Sequence, residues 1–146
     1  RDRNTADPVY IREVSKIADK RTIREVDHYS VLTEASGSFE TGQTFANYNI
    51  NVKTKNPAAY LNAISEYQAL AQANGYEDIT LEAYQINTGD YTGQMMVVIQ
   101  GPTPQRLGAF LDSRNESWGQ SLTNQIQKLR YLKRGFIMNC EVNYAR

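Results

Sequence analysis

Thr44–Thr54 reads TFANYNINVKT. Ala46, Tyr48, Ile50 and Val52 alternate there with Asn47, Asn49 and Asn51, the period-two pattern of a strand with one buried face. Asn56-Pro57 comes next, a capping residue followed by proline at the first helical position. The helix that starts there runs to about Asn74, with Tyr60, Ile64, Tyr67 and Ala71 at helical spacing. Asn74-Gly75 ends it, because glycine tolerates the left-handed turn of a C-terminal cap.

Working outward from this strand and helix, Asp78–Asn87 reads as a second strand and Asn87–Gly93 as a hairpin loop rich in turn formers. Gln94–Gln100, QMMVVIQ, is apolar almost throughout, which predicts a central strand covered on both faces. Thr103-Pro104 starts a long helix whose stripe is Leu107, Phe110, Leu111, Trp118, Leu122, Ile126 and Leu129, with Gly119 placed to bend or divide it. The last strand is expected at about Arg134–Tyr144, with Phe136, Met138 and Cys140 on one face. Strand, helix, strand hairpin, helix, strand is the split βαβ pattern. Right-handed crossovers put both helices on one side. Residues 44–146 are therefore expected to form a ferredoxin-like α+β domain with a four-stranded antiparallel sheet in the order 4-1-3-2.

Upstream, Asp7-Pro8 could start a helix bearing Tyr10, Ile11, Val14, Ile17 and Ala18, and Thr22–Thr33 reads as a strand. Ile11–Glu34 and Leu122–Ala145 share an order: amphipathic helix end, basic junction, strand. Residues 1–34 are read as the last helix and strand of a preceding repeat, and 35–43, with Gly37 and Gly42, as a linker. A free-standing N-terminal arm fits the same stretch.

Sixteen basic residues balance sixteen acidic ones, so no net field favours nucleic acid. The third strand also lacks the aromatics on which RNA-recognition domains stack bases. No apolar run approaches the roughly 18 residues of a membrane-spanning helix, so no membrane insertion is expected. Cys140 is the only cysteine, which excludes a cysteine-based metal site and an intrachain disulfide, and neither a metal nor a cofactor is expected. Starting at Arg1 and rich in Asn and Tyr, the chain points to a secreted or periplasmic location.

A sheet with helices on one side leaves its other face bare. By strand phase that face carries Asn47, Asn49 and Asn51, then Thr80, Glu82, Tyr84 and Ile86, then Met96 and Val98, then Ile137, Asn139, Glu141 and Asn143. Such a face is too polar for a dry core and too apolar for free solvent, so a partly wet interface or lined cavity is expected. The expected ligand-binding residues are Asn47, Asn49, Glu82, Tyr84, Asn139 and Glu141, with Trp118 from the second helix. Glu82 and Glu141 do not make an acid–base pair, since two intervening strands separate them by at least ~14 Å. Trp118 also completes the helical stripe, which is a core role.

The element order, with the TKNPAAYLNAI and MMVVIQGPTPQ strand-to-helix junctions, resembles the dimeric α+β barrel superfamily, including its antibiotic-biosynthesis-monooxygenase type and uncharacterised tandem-domain members. The resemblance covers Thr44–Arg146. It implies two sheets, from two subunits or tandem domains, packed face to face with the helices outside. Haem-binding members use a helix-borne histidine, whereas His28, the only histidine, falls on an expected strand. Cofactor-independent monooxygenases of the superfamily combine a first-strand Asn with a Trp, roles that Asn47 or Asn49 and Trp118 could imitate. With no convincing catalytic pair, the sequence favours a non-enzymatic oligomeric or tandem module that binds a small ligand or protein partner through the helix-free face. The alternative is a cofactor-independent monooxygenase or isomerase.

Overall fold

The computed structural model describes residues 8–16, 18, 27–33 and 39–143. Its elements, in order, are α1 (Pro8–Ser15), β1 (Tyr29–Val31), β2 (Thr44–Lys53), α2 (Pro57–Ala73), β3 (Thr80–Ile86), β4 (Met95–Gly101), α3 (Pro104–Ser113), α4 (Ser117–Leu129) and β5 (Tyr131–Glu141). The punctuation read from the sequence acts as expected. Asn56 Oδ1 accepts from Ala59 N at 3.1 Å, Thr103 Oγ1 accepts from Arg106 N at 3.1 Å, and each helix has proline in its first turn. Gly75, after α2, sits at φ 85°, where a side chain would be strained.

All paired strands are antiparallel and form one five-stranded sheet in the order β1-β3-β4-β2-β5. The expectation of a four-stranded sheet is corrected. The order foreseen for residues 44–146 holds only inside a larger sheet, which β1 extends at the β3 edge. The expected strand Thr22–Thr33 lies partly outside the described residues. Its described end gives Tyr29–Val31, which registers with Ile86–Tyr84. Backbone and side-chain bonds continue this edge. Leu32 N donates to Ala83 O at 2.8 Å, Ala83 N donates to Thr33 Oγ1 at 3.0 Å, and Asn87 N donates to His28 O at 2.8 Å.

The long helix expected after Thr103 is instead two, broken at Arg114-Asn115-Glu116. The break precedes Gly119, which is buried where a Cβ would lie 3.3 Å from the Arg114 Cα and the Ser113 carbonyl. Glycine thus lets α4 start directly against the end of α3. The core lies between the sheet and the helices. Ala46, Ile50 and Val52 of β2, Leu81 and Ala83 of β3, and Val97 and Ile99 of β4 meet Tyr60, Ile64, Tyr67, Leu107, Phe110 and Ile126 from the helices. Burying each large side chain contributes about 1.5–3 kcal/mol. Arg106 of α3 is held beside the start of β3. Its guanidinium binds both Asp78 oxygens at 2.8–2.9 Å, donates to the Gly75 carbonyl, and lies 4.5 Å from the Tyr76 ring centre. Among the described residues, no helix is long and apolar enough to cross a membrane.

Candidate functional site

Cross-strand register defines the face away from the helices. Asn47, Asn49 and Asn51 of β2 stand opposite Gln100, Val98 and Met96 of β4. Those in turn stand opposite Thr80, Glu82 and Tyr84 of β3, so the first three expected strands share this face in the phase read from the sequence. On the last strand the phase is reversed. Asn47, Asn49 and Asn51 pair with Met138, Phe136 and Arg134, whereas Asn139, Ile137 and Glu141 pair with Ala46, Tyr48 and Thr44. Asn139 and Glu141 therefore belong to the helix side of the sheet, where both stay exposed beside the start of α3. The slip has a physical cause. An edge strand with two solvated faces has no burial to choose between them. Gly135 carried the missing signal, because a Cβ there would lie 2.8 Å from the Tyr48 hydroxyl. A glycine within a strand marks a close approach, and this one fixes which residues of β5 share a side with Tyr48.

The floor of the helix-free face is amide. Asn49 is 3% exposed and Asn51 4%. Asn47, Asn49 and Asn51 each keep one buried side-chain amide atom without a hydrogen-bond partner. Around them stand Phe136, Met138, Met96, Tyr84, Val31 and Tyr29. The Tyr29 and Tyr84 rings meet edge to face at 6.5 Å. Arg134 lies 4.7 Å from the Phe136 ring centre and 5.9 Å from that of Tyr91, in the β3–β4 loop. The sequence reading left out Phe136, Met138, Arg134 and Tyr91, the first three through the β5 slip.

Tyr84 donates a hydrogen bond to Glu82. Burial, and then the acceptor charge of Glu82, push its phenol up to about 12. A folded-state value above the usual tyrosine range means that the native chain holds this proton longer than the unfolded chain does. The resulting stabilisation is complete below pH ~10 and is lost as pH rises from ~10 to ~12. Denaturant unfolding followed across that window should show stability falling less steeply in Tyr84→Phe than in the parent. Equal slopes would show that burial and the Glu82 bond do not hold the Tyr84 proton in solution.

Glu82 and Glu141 share neither a face nor a level of the sheet. Glu82 aligns through Val98 and Asn49 with Phe136, while Glu141 aligns with Thr44. Trp118 is on the other side of the sheet from Asn47 and Asn49. Its indole stacks on Tyr67 at 6.2 Å and meets Tyr76 at 6.0 Å, and its Nε1 donates to Glu116 at 2.9 Å. A cavity of about 30 Å³ lies beneath α2 and α4, bordered by Ile50, Ile64, Tyr67, Thr123 and Ile126, with room for about one water molecule. Among the described residues, no group of His, Cys, Asp and Glu is placed to hold a metal ion.

No protein-family model matches the chain, and no curated protein does. Solved structures similar to it include two of unknown function. One is a conserved protein of unknown function from Bacteroides thetaiotaomicron, described as a possible oxidoreductase. It has 15% identity and a TM-score of 0.41, and the match covers 68% of this chain and 98% of that one. The other is a dimeric protein of unknown function and ferredoxin-like fold from Bacteroides fragilis, with 7% identity and a TM-score of 0.41, covering 70% of this chain and 99% of that one.

Proposed function

We propose that this chain is a non-enzymatic association module whose helix-free sheet face, centred on Asn47 and Asn49 with Glu82 and Tyr84 beside them, is covered in use by a second subunit or a neighbouring repeat. The observation that carries this reading is the row of buried amides left without partners on Asn47, Asn49 and Asn51. Each unpaired buried polar atom costs about 1–3 kcal/mol, and native proteins keep few of them. A protein surface laid on this face buries Tyr29, Val31 and Met138, which are exposed in the isolated chain, and rotation of the asparagine side chains toward it would give their amides donors and acceptors and recover that cost. Asn139 and Glu141, on the opposite side of the sheet, and Trp118, within the aromatic core, fall outside the proposed site.

Val31 is 58% exposed and registers with Tyr84 on this face, so the fold should tolerate a charge there. Val31→Glu is expected to change unfolding free energy by less than ~0.5 kcal/mol and to weaken self-association in sedimentation by about tenfold or more. Unchanged association in the variant, or a parent chain that stays monomeric at high concentration, would remove the support for this reading.

A further inference from the structure

The two edges of the sheet are not alike. One ends in β1, only three residues long, and the rest of the outer side of β3 is already taken. Gln68 of α2 donates to the Ile79 carbonyl at 2.8 Å and accepts from Leu81 N at 2.6 Å, and Thr33, β1 and His28 take the rest. At the other edge, among the described residues, no strand pairs with the outer side of β5. β5 spans eleven residues, and it carries Tyr131, Leu132, Ile137 and Met138 as exposed large apolar side chains. A long open edge is a template for another strand. We propose that a second copy of this chain pairs there, β5 against β5, to make one continuous sheet across a two-fold axis.

The strand is self-complementary in one register. Antiparallel self-pairing puts the axis perpendicular to the sheet, so both sets of helices lie on the same side. Facing residues must then share a side, which restricts the axis to pass through a residue and not between two. Centring it on Ile137, which is 60% exposed, places that side chain on its twin. The same register sets Phe136 against Met138, and it runs regularly as far as Arg134, because β5 bulges at Lys133, between the partners of Asn51 and Val52. Apolar cross-strand pairs of this kind are stabilising. Centring on Phe136 would instead face Arg134 with Met138, and centring on Met138 would face Ile137 with Asn139. A two-fold contact uses the β5 edge of both copies, so it closes as a dimer, and the opposite edge strand, β1, is only three residues long.

The test is a cysteine placed on the axis. Cys140 is first replaced by serine, which removes the only native thiol. Ile137→Cys in that background should cross-link to its twin under mild oxidation, since facing Cα atoms ~4.5–5.5 Å apart suit a disulfide. Tyr131→Cys in the same background should not, because the twins there would be ~40 Å apart. Ile137→Lys, at an exposed position, should keep the fold and weaken this dimer about tenfold or more through like charges on the axis. Failure of the Ile137→Cys chain to link, equal linking at Tyr131→Cys, or undiminished edge pairing in Ile137→Lys would overturn the proposal. The edge contact stands apart from the sheet-face reading, because Val31→Glu alters the face and leaves β5 untouched.

Discussion

Phe110→Ala should lower the unfolding free energy by about 3–5 kcal/mol, the usual cost of truncating a fully buried aromatic. Phe110 is 0% exposed, with its ring 5.7 Å from Tyr67 and 5.2 Å from Tyr76. It holds α3 to α2 and to the segment leading into β3, and Trp118 completes the same cluster. The site cannot close over the gap, because its walls are rings carried by separate segments of the chain. Against a typical total of about 5–15 kcal/mol, such a loss leaves the chain marginal. Denaturant unfolding should show the midpoint falling with little change in slope, and Trp118 fluorescence should shift toward that of a wetter indole. A cost below ~1.5 kcal/mol would mean that the aromatic cluster does not hold the helices together.

Most of the fold was legible because local signals agreed with one another. Asn56-Pro57 and Thr103-Pro104 mark helix starts through bonds made within three residues, and Val97 and Ile99 belong to a strand flanked on both sides, so its apolar run was informative. The fifth strand was not legible as part of this sheet. Tyr29–Val31 is only three residues long and exposed, and its place is set by long-range bonds to β3, which no local pattern encodes. The break at Arg114–Glu116 was half legible: Gly119 pointed to it, but the turn falls just before that glycine. The candidate site was readable on β2, β3 and β4, where burial of one side enforces the phase. On β5 it was misread, because Ile137 and Met138 face opposite ways and are both exposed. What made Asn47, Asn49 and Asn51 notable in the sequence was their alternation with apolar residues. Their unpaired amides could not be foreseen, since these depend on what the neighbouring strands place beside them.

The measurement that bears most directly on the association face is Asn49→Leu, read out in two ways on the same sample. Leucine has the same number of side-chain heavy atoms and the same branching as asparagine, and removes the buried Asn49 Nδ2 that the isolated chain leaves unpaired. At concentrations where the chain is monomeric, unfolding free energy should stay level or rise by about 1–2 kcal/mol, because a desolvated polar group is lost and no bond goes with it. Self-association through the face should weaken by about tenfold or more in sedimentation, because a partner that would have bonded to the amide now meets a methyl group. Stability and association moving in opposite directions is the result that the account predicts. A variant that is less stable by more than ~1 kcal/mol and associates as the parent does would show that Asn49 is satisfied within its own chain, and would contradict the account.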